Sequence, residues 1–331
     1  MSHYWTGKNV LVTGGNGFIG SFVVEQLLRA GARVRSTASS EATQYRFLSA
    51  VSQDIEVCVG DLSHEAIARQ AVKGQDVVLH LAAHVGGIAY NRSHPATLFQ
   101  KNMTPFLSVI EAARHAGVEK FLVTSSACVY PREVSIPTPE SEGFLEQPET
   151  TNAGYGWSKR MQEYLAQAYR EEFSLPVVTA RPYNAYGPRD DFDPKTSHVI
   201  AALIHKIEEA HRLKQSHIVV WGDGSASRSF LYVEDFARGL LTVAEKATGP
   251  DAYNIGAPEE VTMGELAQLL IKLSGYSLEI QYDTSKPNGQ PRRSCDSSRA
   301  EQELGFKTQF SLKTGLTNTF KYYREFLAQK D

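Results

Sequence analysis

The stretch Val10–Gly20, which reads VLVTGGNGFIG, decides the fold. It begins with a short apolar and β-branched segment, and it then places Gly14, Gly17 and Gly20 three residues apart before a run with helical spacing. Glycine permits a tight turn and the close approach of a pyrophosphate, which the free amides and positive end of a helix stabilise. The pattern predicts a strand, turn and helix that hold a dinucleotide, although a purely structural turn stays open.

The first half of the chain alternates β-branched segments with helical patterns. The predicted strands are Asn9–Thr13, Arg33–Thr37, Glu56–Val59, Asp76–Ala82, Lys120–Ser125 and Val177–Arg181. The predicted helices between them are Phe18–Ala30, His64–Val72, Pro95–His115 and Tyr155–Phe173. Such alternation produces right-handed crossovers, so we predict an α/β fold with a doubly wound parallel sheet of the Rossmann type. Pro105 should kink or split the third helix.

The length of 331 residues predicts roughly two domains. We expect a dinucleotide-binding domain of residues 1–185 plus about 229–257. The remaining segments, about 186–228 plus 258–331, are expected to form a smaller, mainly helical substrate lobe. A ligand crevice between the lobes would then lie at the carboxyl ends of the strands.

The composition narrows the class of protein. The net charge is -3 and has no basic stripe, which argues against a nucleic-acid partner. No apolar run approaches the ~18 residues that a membrane span needs. The 3 cysteines, Cys58, Cys128 and Cys295, are too few and too widely spaced for a disulfide framework or a metal cluster. We therefore expect a soluble, cytoplasmic protein without a metal.

The residues after the second strand indicate which dinucleotide binds. No Asp or Glu is present from Arg33 to Ser40 to bind a ribose 2′-hydroxyl, whereas Arg35, Ser39 and Ser40 suit a 2′-phosphate. This favours NADP(H) over NAD(H). Asp61 is a candidate for the adenine edge, and capping of the following helix is its alternative role.

A second motif predicts the catalytic chemistry. Tyr155 and Lys159 form YxxxK at the start of a helix, so the two side chains share one face. An adjacent ammonium would stabilise the phenolate of a tyrosine that must exchange its proton below its free pKa of ~10. Ser126, at the end of a strand, would donate a hydrogen bond to the reacting oxygen of the substrate.

These features resemble the extended short-chain dehydrogenase/reductase family over nearly the whole chain. The matching motifs are TGGNGFIG (13–20), GDL (60–62), HLAA (80–83), SSACVYP (125–131), YGWSK (155–159), RPYNAYGP (181–188) and YNIG (253–256). The resemblance implies Ser126, Tyr155 and Lys159 as the catalytic triad and sugar nucleotides as the usual substrates. The residues expected at the cofactor are Gly14, Asn16, Gly17, Phe18, Ile19, Gly20, Arg35, Ser39, Asp61, Leu62, Leu81, Ala82, Ala83, Tyr155 and Lys159.

Three further segments resemble the branch of this family that both epimerises and reduces GDP-linked keto sugars. Cys128 stands two residues after Ser126, and in an extended backbone the two side chains would face the same side. The segment Gly187–Ile200 is similar to the one that delivers a catalytic histidine, which implies His198. The loop His84–Ile88 is similar to a glycine-rich loop beside the sugar, and both this loop and Cys128 also resemble the branch that epimerises GDP-linked sugars at carbons 3 and 5 without net reduction, whereas His198 does not. An inert buried Cys128 and a merely capping His198 remain the alternatives.

The nucleotide end of the substrate is expected farther along the chain. The segment Val220–Phe230 resembles the strand and arginine with which the family holds a diphosphate. Arg228 can bind phosphate through a bidentate fork, and Trp221 offers a flat apolar surface for the base or sugar. The residues expected at the substrate are Gly87, Asn184, Lys195, Trp221, Arg228 and Arg293. The alternatives are that Trp221 is a core residue of the small lobe and that Arg293 lies in a solvated loop.

We therefore expect an NADPH-dependent enzyme that converts a GDP-4-keto-6-deoxy-mannose-like substrate to a GDP-fucose-like product. One alternative is a 3,5-epimerase without net redox, and another is a 4-ketoreductase of a related keto sugar nucleotide. The alternative that is not an enzyme is a non-catalytic, cofactor-binding regulator with the same fold. The family resemblance also implies a homodimer in which the helices Pro95–His115 and Tyr155–Phe173 pair with their copies.

Overall fold

The structure is a computed structural model that describes residues 3–286 and 290–329, and it contains 14 strands and 10 α-helices in those ranges. The strands are β1 (Asn9–Thr13), β2 (Arg33–Ala38), β3 (Ile55–Val59), β4 (Val77–His80), β5 (Lys120–Thr124), β6 (Val177–Pro182), β7 (Ala185–Tyr186), β8 (His217–Trp221), β9 (Ser227–Ser229), β10 (Leu231–Tyr232), β11 (Ala252–Ile255), β12 (Glu260–Thr262), β13 (Glu279–Asp283) and β14 (Arg292–Arg293). The helices are α1 (Phe18–Arg29), α2 (Glu65–Val72), α3 (Ile88–Ser93), α4 (Pro95–Ala116), α5 (Ala153–Phe173), α6 (Val199–Arg212), α7 (Val233–Lys246), α8 (Met263–Ser274), α9 (Ser298–Leu304) and α10 (Leu312–Ala328).

The central element is a parallel sheet of seven strands in the order β11-β6-β5-β4-β1-β2-β3. Every pair of neighbours in this sheet runs parallel. The order of the strands reverses between β1 and β4, and in doubly wound sheets ligands bind outside the carboxyl ends of the strands at this point. The predicted α/β fold with a doubly wound sheet is confirmed.

The alternation of side chains along β1 explains how the sheet is covered on both faces. Val10 and Val12 pack into the same core cluster as α1 and α7, whereas Leu11 packs on the opposite face against α2 and α4. Because successive side chains of a strand point to opposite faces, an unbroken apolar segment is what a strand buried on both sides requires.

One of the two outcomes predicted for Pro105, a split of the third helix, is wrong. Helix α4 continues from Pro95 to Ala116 without a break, although Pro105 lies inside it. The proline removes one backbone hydrogen bond, but α4 packs against both α2 and α5, and this packing holds the helix together. The helix ends at Gly117, whose φ of 65° is the left-handed conformation that glycine adopts without strain.

The smaller lobe contains more strand than the sequence predicts. Short sheets of two or three strands (β12-β9-β14, β13-β8 and β10-β7) accompany α6, α8 and α10. Five of these seven strands have only two or three residues and are too short to give a periodic signal in the sequence, whereas β8 and β13 have five residues each. Helix α9 packs against β11, an edge strand of the large sheet, and against α7. The proposed division into two sequence-discontinuous domains stays a prediction.

Candidate active site

The turn after β1 has the shape of a phosphate cradle. Helix α1 begins at Phe18, and its N-cap residue Gly17 offers no side chain to the first amides of the helix. Gly14 has a φ of +68°, and a Cβ on Gly20 would lie 2.2 Å from the carbonyl oxygen of Gly14, so only glycine fits there. Free amides at a helix start beside a tight glycine turn fit the pyrophosphate of a dinucleotide.

The neighbouring residues hold this turn at the carboxyl edge of the sheet. The Asn16 side chain donates to the carbonyl oxygen of Thr43 at 2.7 Å and ties the turn to the loop after β2. The hydroxyl oxygen of Thr13 accepts from the amides of Leu81 and Ala82 at 3.1 and 3.0 Å. The ends of β1 and β4 are thereby joined at the switch point. The remaining residues expected at the cofactor differ in burial. Ile19 is half-buried, Leu62 is buried, and Ala83 and Ser39 are exposed.

Arg35 makes several contacts within the fold. Its guanidinium donates to the carbonyl oxygens of Ala71 and Lys73 at 2.8 and 2.7 Å, and it forms an ion pair with Glu56 at 2.8 Å. The guanidinium therefore lies at the C-terminal end of α2, and Arg35 lies three residues before the end of β2. These contacts hold the guanidinium away from the end of β2, and the binding of a 2′-phosphate by Arg35 stays a prediction.

The Asp61 carboxylate binds Ser63 and does not cap α2, whose N-cap residue is His64. Its Oδ1 accepts from the amide and the hydroxyl of Ser63 at 2.9 and 2.6 Å, and these hydrogen bonds lower the pKa of the carboxyl group. Asp61 is exposed at the end of β3. A contact with an adenine edge would have to use the other oxygen.

Tyr155, Ser126 and Lys159 come together at the carboxyl edge of β5. The Lys159 side chain is 1% exposed, and its ammonium lies 5.6 Å from the centroid of the Tyr155 ring. The ammonium donates to the carbonyl oxygen of Thr124, the last residue of β5, at 2.8 Å. A hydrogen bond between the hydroxyls of Ser126 and Tyr155 partly opposes the rise in the Tyr155 pKa that burial causes. The predicted triad therefore forms one cluster.

Burial decides the ionisation of this pair. It raises the pKa of Tyr155 well above 10, and it lowers the pKa of Lys159 to about 8, against the attraction of Glu163 and Cys128. The expected lowering of the Tyr155 pKa by the ammonium is not found, because desolvation of the hydroxyl is the larger effect. Tyr155 is thus protonated at neutral pH, which is the form that a general acid needs.

Cys128 lies beside the triad for a different reason than the sequence suggests. The backbone after Ser126 forms a short 3-10 turn, Ala127–Val129, and not an extended strand. The Ser126 hydroxyl oxygen accepts from the amide of Cys128 at 3.1 Å and caps this turn. A Cβ on Gly156 would lie 2.5 Å from the carbonyl oxygen of Cys128, so this glycine lets α5 approach the turn. The thiol is half-buried and unpaired.

His198 is the N-cap residue of α6 and is paired with Asp190. The side chain of His198 is 67% exposed, whereas that of Asp190 is 4% exposed, and the distance between Nδ1 and Oδ1 is 3.9 Å. The Asp190 carboxylate raises the pKa of His198, and Asp191 adds a smaller attraction. The second oxygen of Asp190 is buried without a hydrogen-bond partner among the described residues. The imidazole is therefore accessible and held towards its charged form.

Two loops bring the histidine segment towards the sheet edge. A Cβ on Gly87 would lie 3.5 Å from the carbonyl oxygen of Lys195, so the glycine-rich loop after β4 contacts the loop that precedes His198. The Lys195 side chain is exposed. Asn184 follows β6 and donates to the carbonyl oxygen of Ser229 at 2.8 Å. The first contact joins the two loops, and the second holds Asn184 against the end of β9.

The two arginines expected at the nucleotide stand side by side. Arg228 on β9 is in register with Arg293 on β14. Burial, followed by repulsion from Arg293, lowers the pKa of Arg228 to about 10. Neither arginine forms an ion pair with any carboxylate in the described ranges. Two adjacent half-buried guanidinium groups of this kind favour an anionic ligand.

Trp221 is not a core residue. It ends β8, its side chain is 63% exposed, and the ammonium groups of Lys206 and Lys286 lie 5.6 and 5.9 Å from its ring centroid. The alternative role as a buried side chain of the small lobe is therefore wrong. An exposed indole between two cations offers a surface on which an aromatic base can stack.

Three polar residues at the site escape sequence reasoning. Gln162 accepts from the Lys159 ammonium at 3.1 Å, and Glu163 forms a buried ion pair with Arg181 at 2.7 Å. The third is Asp190, the partner of His198. The position of Gln162, one turn after Lys159 on the apolar face of the predicted helix, could have indicated that its side chain lies near the lysine.

The described parts of the chain lack two kinds of feature. They contain no group of three or more His, Cys, Asp or Glu side chains that could hold a metal ion. Within the same ranges no helix is both long enough and apolar enough to cross a membrane.

Comparison with known proteins agrees with this geometry. The family model described as "NAD dependent epimerase/dehydratase family" matches residues 10–256. A relative from Oryza sativa subsp. japonica, "Probable GDP-L-fucose synthase 1", is 35% identical over 96% of this chain and 93% of its own length. A relative from Streptomyces bikiniensis, "dTDP-4-dehydro-6-deoxy-D-allose reductase", is 32% identical over 97% of both chains.

A solved structure extends the similarity to three dimensions. It is a UDP-glucose 4-epimerase from Thermotoga maritima with UDP-glucose, which is 29% identical to this chain and superposes with a TM-score of 0.84. The alignment covers 96% of this chain and 99% of that one. The predicted family is confirmed, and so is the similarity to GDP-L-fucose synthases. The chain belongs to the NAD-dependent epimerase/dehydratase family and is an NAD(P)-dependent enzyme of the extended short-chain dehydrogenase type.

Proposed function

We propose that this enzyme converts GDP-4-keto-6-deoxy-mannose, or a close analogue, to a GDP-fucose-like product by epimerisation at carbons 3 and 5 and reduction at carbon 4. The observation that carries the proposal is the position of Cys128, whose amide is hydrogen-bonded to the hydroxyl of Ser126 beside Tyr155. A thiol at this point adds proton transfer to a site already suited to reduction. The similarity to GDP-L-fucose synthases supports the same function.

In the proposed epimerisation, the Cys128 thiolate removes the proton from the carbon next to the ketone. Tyr155 and Ser126 donate hydrogen bonds to the oxygen of the resulting enolate and stabilise its negative charge. His198, held towards its charged form by Asp190, returns a proton to the opposite face and inverts the centre. The contact between Gly87 and Lys195 supports the arrival of the histidine segment at the same pocket.

The reduction follows in the same pocket. A bound nicotinamide supplies a hydride to carbon 4. Tyr155 gives its proton to the oxygen, which its raised pKa permits because the hydroxyl is protonated before the step. The Lys159 ammonium, held by Thr124, lies close enough to stabilise the phenolate left behind.

We propose NADPH as the reductant and GDP as the nucleotide of the substrate. The exposed Ser39 and Ser40 after β2 support a 2′-phosphate, because the residues from Arg33 to Ser40 include no carboxylate, although Glu41 follows them and the Arg35 guanidinium is bound within the fold. Arg228 and Arg293 would hold the diphosphate, and Trp221 would stack on the base. Asn184 and Lys195 would contact the sugar.

We also propose a homodimer in a reducing compartment such as the cytoplasm. Helices α4 and α5 pack against each other and leave Phe99, Leu107, Trp157 and Tyr164 exposed. Adjacent exposed apolar side chains on two neighbouring helices favour burial against a second copy. The three cysteines are unpaired, which suits a reducing compartment.

A 4-ketoreductase of a dTDP-linked keto sugar is a second candidate, favoured by the Streptomyces bikiniensis relative. The test incubates the enzyme in D2O with NADPH and either the GDP-linked or the dTDP-linked keto sugar. The proposal predicts one NADPH oxidised per product and deuterium at carbons 3 and 5 of the GDP-linked product. Reduction without deuterium would indicate a 4-ketoreductase. Deuterium exchange without oxidation of NADPH would indicate a 3,5-epimerase.

A further inference from the structure

The Lys159 ammonium has one hydrogen-bond partner that the triad does not explain. It donates to Thr124 O at 2.8 Å and to the Gln162 side-chain oxygen at 3.1 Å. Since an ammonium has three donors, these two bonds leave one N–H for the cofactor or Tyr155. The Gln162 side chain is completely buried, so its amide must be satisfied within the protein.

The orientation of the Gln162 amide is determined by its two partners. Its oxygen accepts from Lys159, and its nitrogen donates to the carbonyl oxygen of Asn102 on α4 at 2.9 Å. A flipped amide would place an NH2 group against an ammonium and an oxygen against a carbonyl, and neither contact is a hydrogen bond. Only one orientation of Gln162 is therefore possible.

The same chain of hydrogen bonds continues to the glycine-rich loop. The Asn102 side-chain oxygen accepts from the amide of His84 at 3.0 Å, and its nitrogen donates to the carbonyl oxygens of His84 and Leu98 at 2.9 and 2.8 Å. Asn102 is 1% exposed. His84 begins the loop that reaches Gly87 and its contact with Lys195. The ammonium and the loop beside the sugar are thus joined through two buried amides.

We propose that Gln162 is a positioning residue that fixes the Lys159 ammonium beneath Tyr155 and couples it, through Asn102, to the His84–Gly87 loop. This inference rests on the proposed role of Lys159 in hydride transfer. Gln162 touches neither substrate nor cofactor and acts through the lysine. Its loss should therefore impair reduction and leave proton exchange by Cys128 intact.

The charged and titratable groups around Lys159 come from three elements. Glu163 and Tyr155 lie on α5, Cys128 lies on the turn after β5, and His80 lies on β4. His80 is buried with a pKa lowered to about 3, so it is neutral and adds no charge at neutral pH. A change in the titration of Lys159 after substitution of Gln162 would then report on the amide contact alone.

The test compares Gln162→Met with Gln162→Glu. Methionine keeps the volume of the side chain but removes the acceptor, whereas glutamate keeps an acceptor for Lys159. The matched control is Gln302→Met at an exposed position of α9. For each variant we would measure the pH profile of NADPH oxidation, deuterium exchange without cofactor, and the pKa of Lys159 by NMR of labelled lysine.

The inference predicts that Gln162→Met lowers the rate of reduction about tenfold, the loss expected for one hydrogen bond to a charged group. It also predicts a lower pKa for Lys159 and unchanged deuterium exchange. Gln162→Glu should recover part of the rate and raise the Lys159 pKa, and it carries the test if the methionine variant does not fold. The control should behave as wild type.

A wild-type rate and an unchanged Lys159 pKa in Gln162→Met would overturn the inference, because the residue would then only fill space. An equal loss of reduction and exchange in both variants would overturn it as well, since that is the effect of general damage. Failure of the proposed function has a separate signature: Lys159→Met would then reduce the substrate at the wild-type rate.

Discussion

The buried Asp190 carboxylate lies 3.9 Å from Nδ1 of the exposed His198 imidazole and is the group that raises the pKa of this histidine. Asp190→Asn should lower that pKa towards the ordinary value of ~6.5. A protonated His198 is required for reprotonation, so the rate should fall as pH rises through its pKa, and it should fall at a lower pH in the variant. NMR titration of labelled histidine measures the shift directly. The control is Asp193→Asn in the same exposed loop; a shift of equal size there would contradict a specific pair.

Cofactor preference should not depend on Arg35. Titration by fluorescence should show tighter binding of NADPH than of NADH. Arg35→Met should keep the ratio of the two dissociation constants, because the guanidinium is bound to α2 and Glu56. Ser39→Asp should shift the preference towards NADH, since a carboxylate there repels a 2′-phosphate and accepts from a 2′-hydroxyl. If the ratio of the two dissociation constants approached one only in the Arg35 variant, Arg35 would be the residue that binds the 2′-phosphate.

The proposed dimer depends on apolar side chains of α4 and α5. Replacing Leu107 and Tyr164 together by Glu should convert a dimer to a monomer in light scattering at micromolar concentration, because charges would be buried at the interface. Leu213→Glu, an equally exposed leucine after α6, is the control and should leave the mass unchanged. A wild-type monomer would contradict the proposal.

The ion pair between Glu163 and Arg181 should contribute to stability in proportion to its burial. The two side chains are 8% and 6% exposed, and Glu163 also accepts from the Ser125 hydroxyl. Glu163→Gln should lower the free energy of unfolding by about 3 kcal/mol, since it leaves a buried guanidinium unpaired. In urea denaturation the control Glu65→Gln, which breaks the exposed pair with Arg69, should cost less than about 1 kcal/mol. Equal losses would show that burial is not the cause.

The sequence predicts the sheet and the triad because both depend on local signals. Gly14, Gly17 and Gly20 mark the turn after β1, and the spacing of Tyr155 and Lys159 marks one face of α5. Contacts between residues that are distant in sequence produce no such local pattern. The contacts of Arg35 with the end of α2 depend on how a helix returns to the sheet, which periodicity does not reveal.

The same limit applies to single residues at the site. The sequence singles out Cys128 through an extended backbone, which the structure replaces with a 3-10 turn, and the role of this residue stays a prediction. Pro105 has a strong local preference that packing of α4 overrides. Tyr155 shows the opposite sign of pKa shift from the one expected, because desolvation depends on the whole pocket.

The division of labour between Cys128 and Tyr155 is the central claim, and one experiment tests it most directly. In D2O with the GDP-linked keto sugar, Cys128→Ser should abolish deuterium uptake next to the ketone, because a hydroxyl is a far weaker acid than a thiol. Its reduction of the unepimerised ketone should survive. Tyr155→Phe should depress reduction on the order of 10²-fold or more while some deuterium exchange continues. Full deuterium incorporation by Cys128→Ser would contradict the claim and leave a simple 4-ketoreductase.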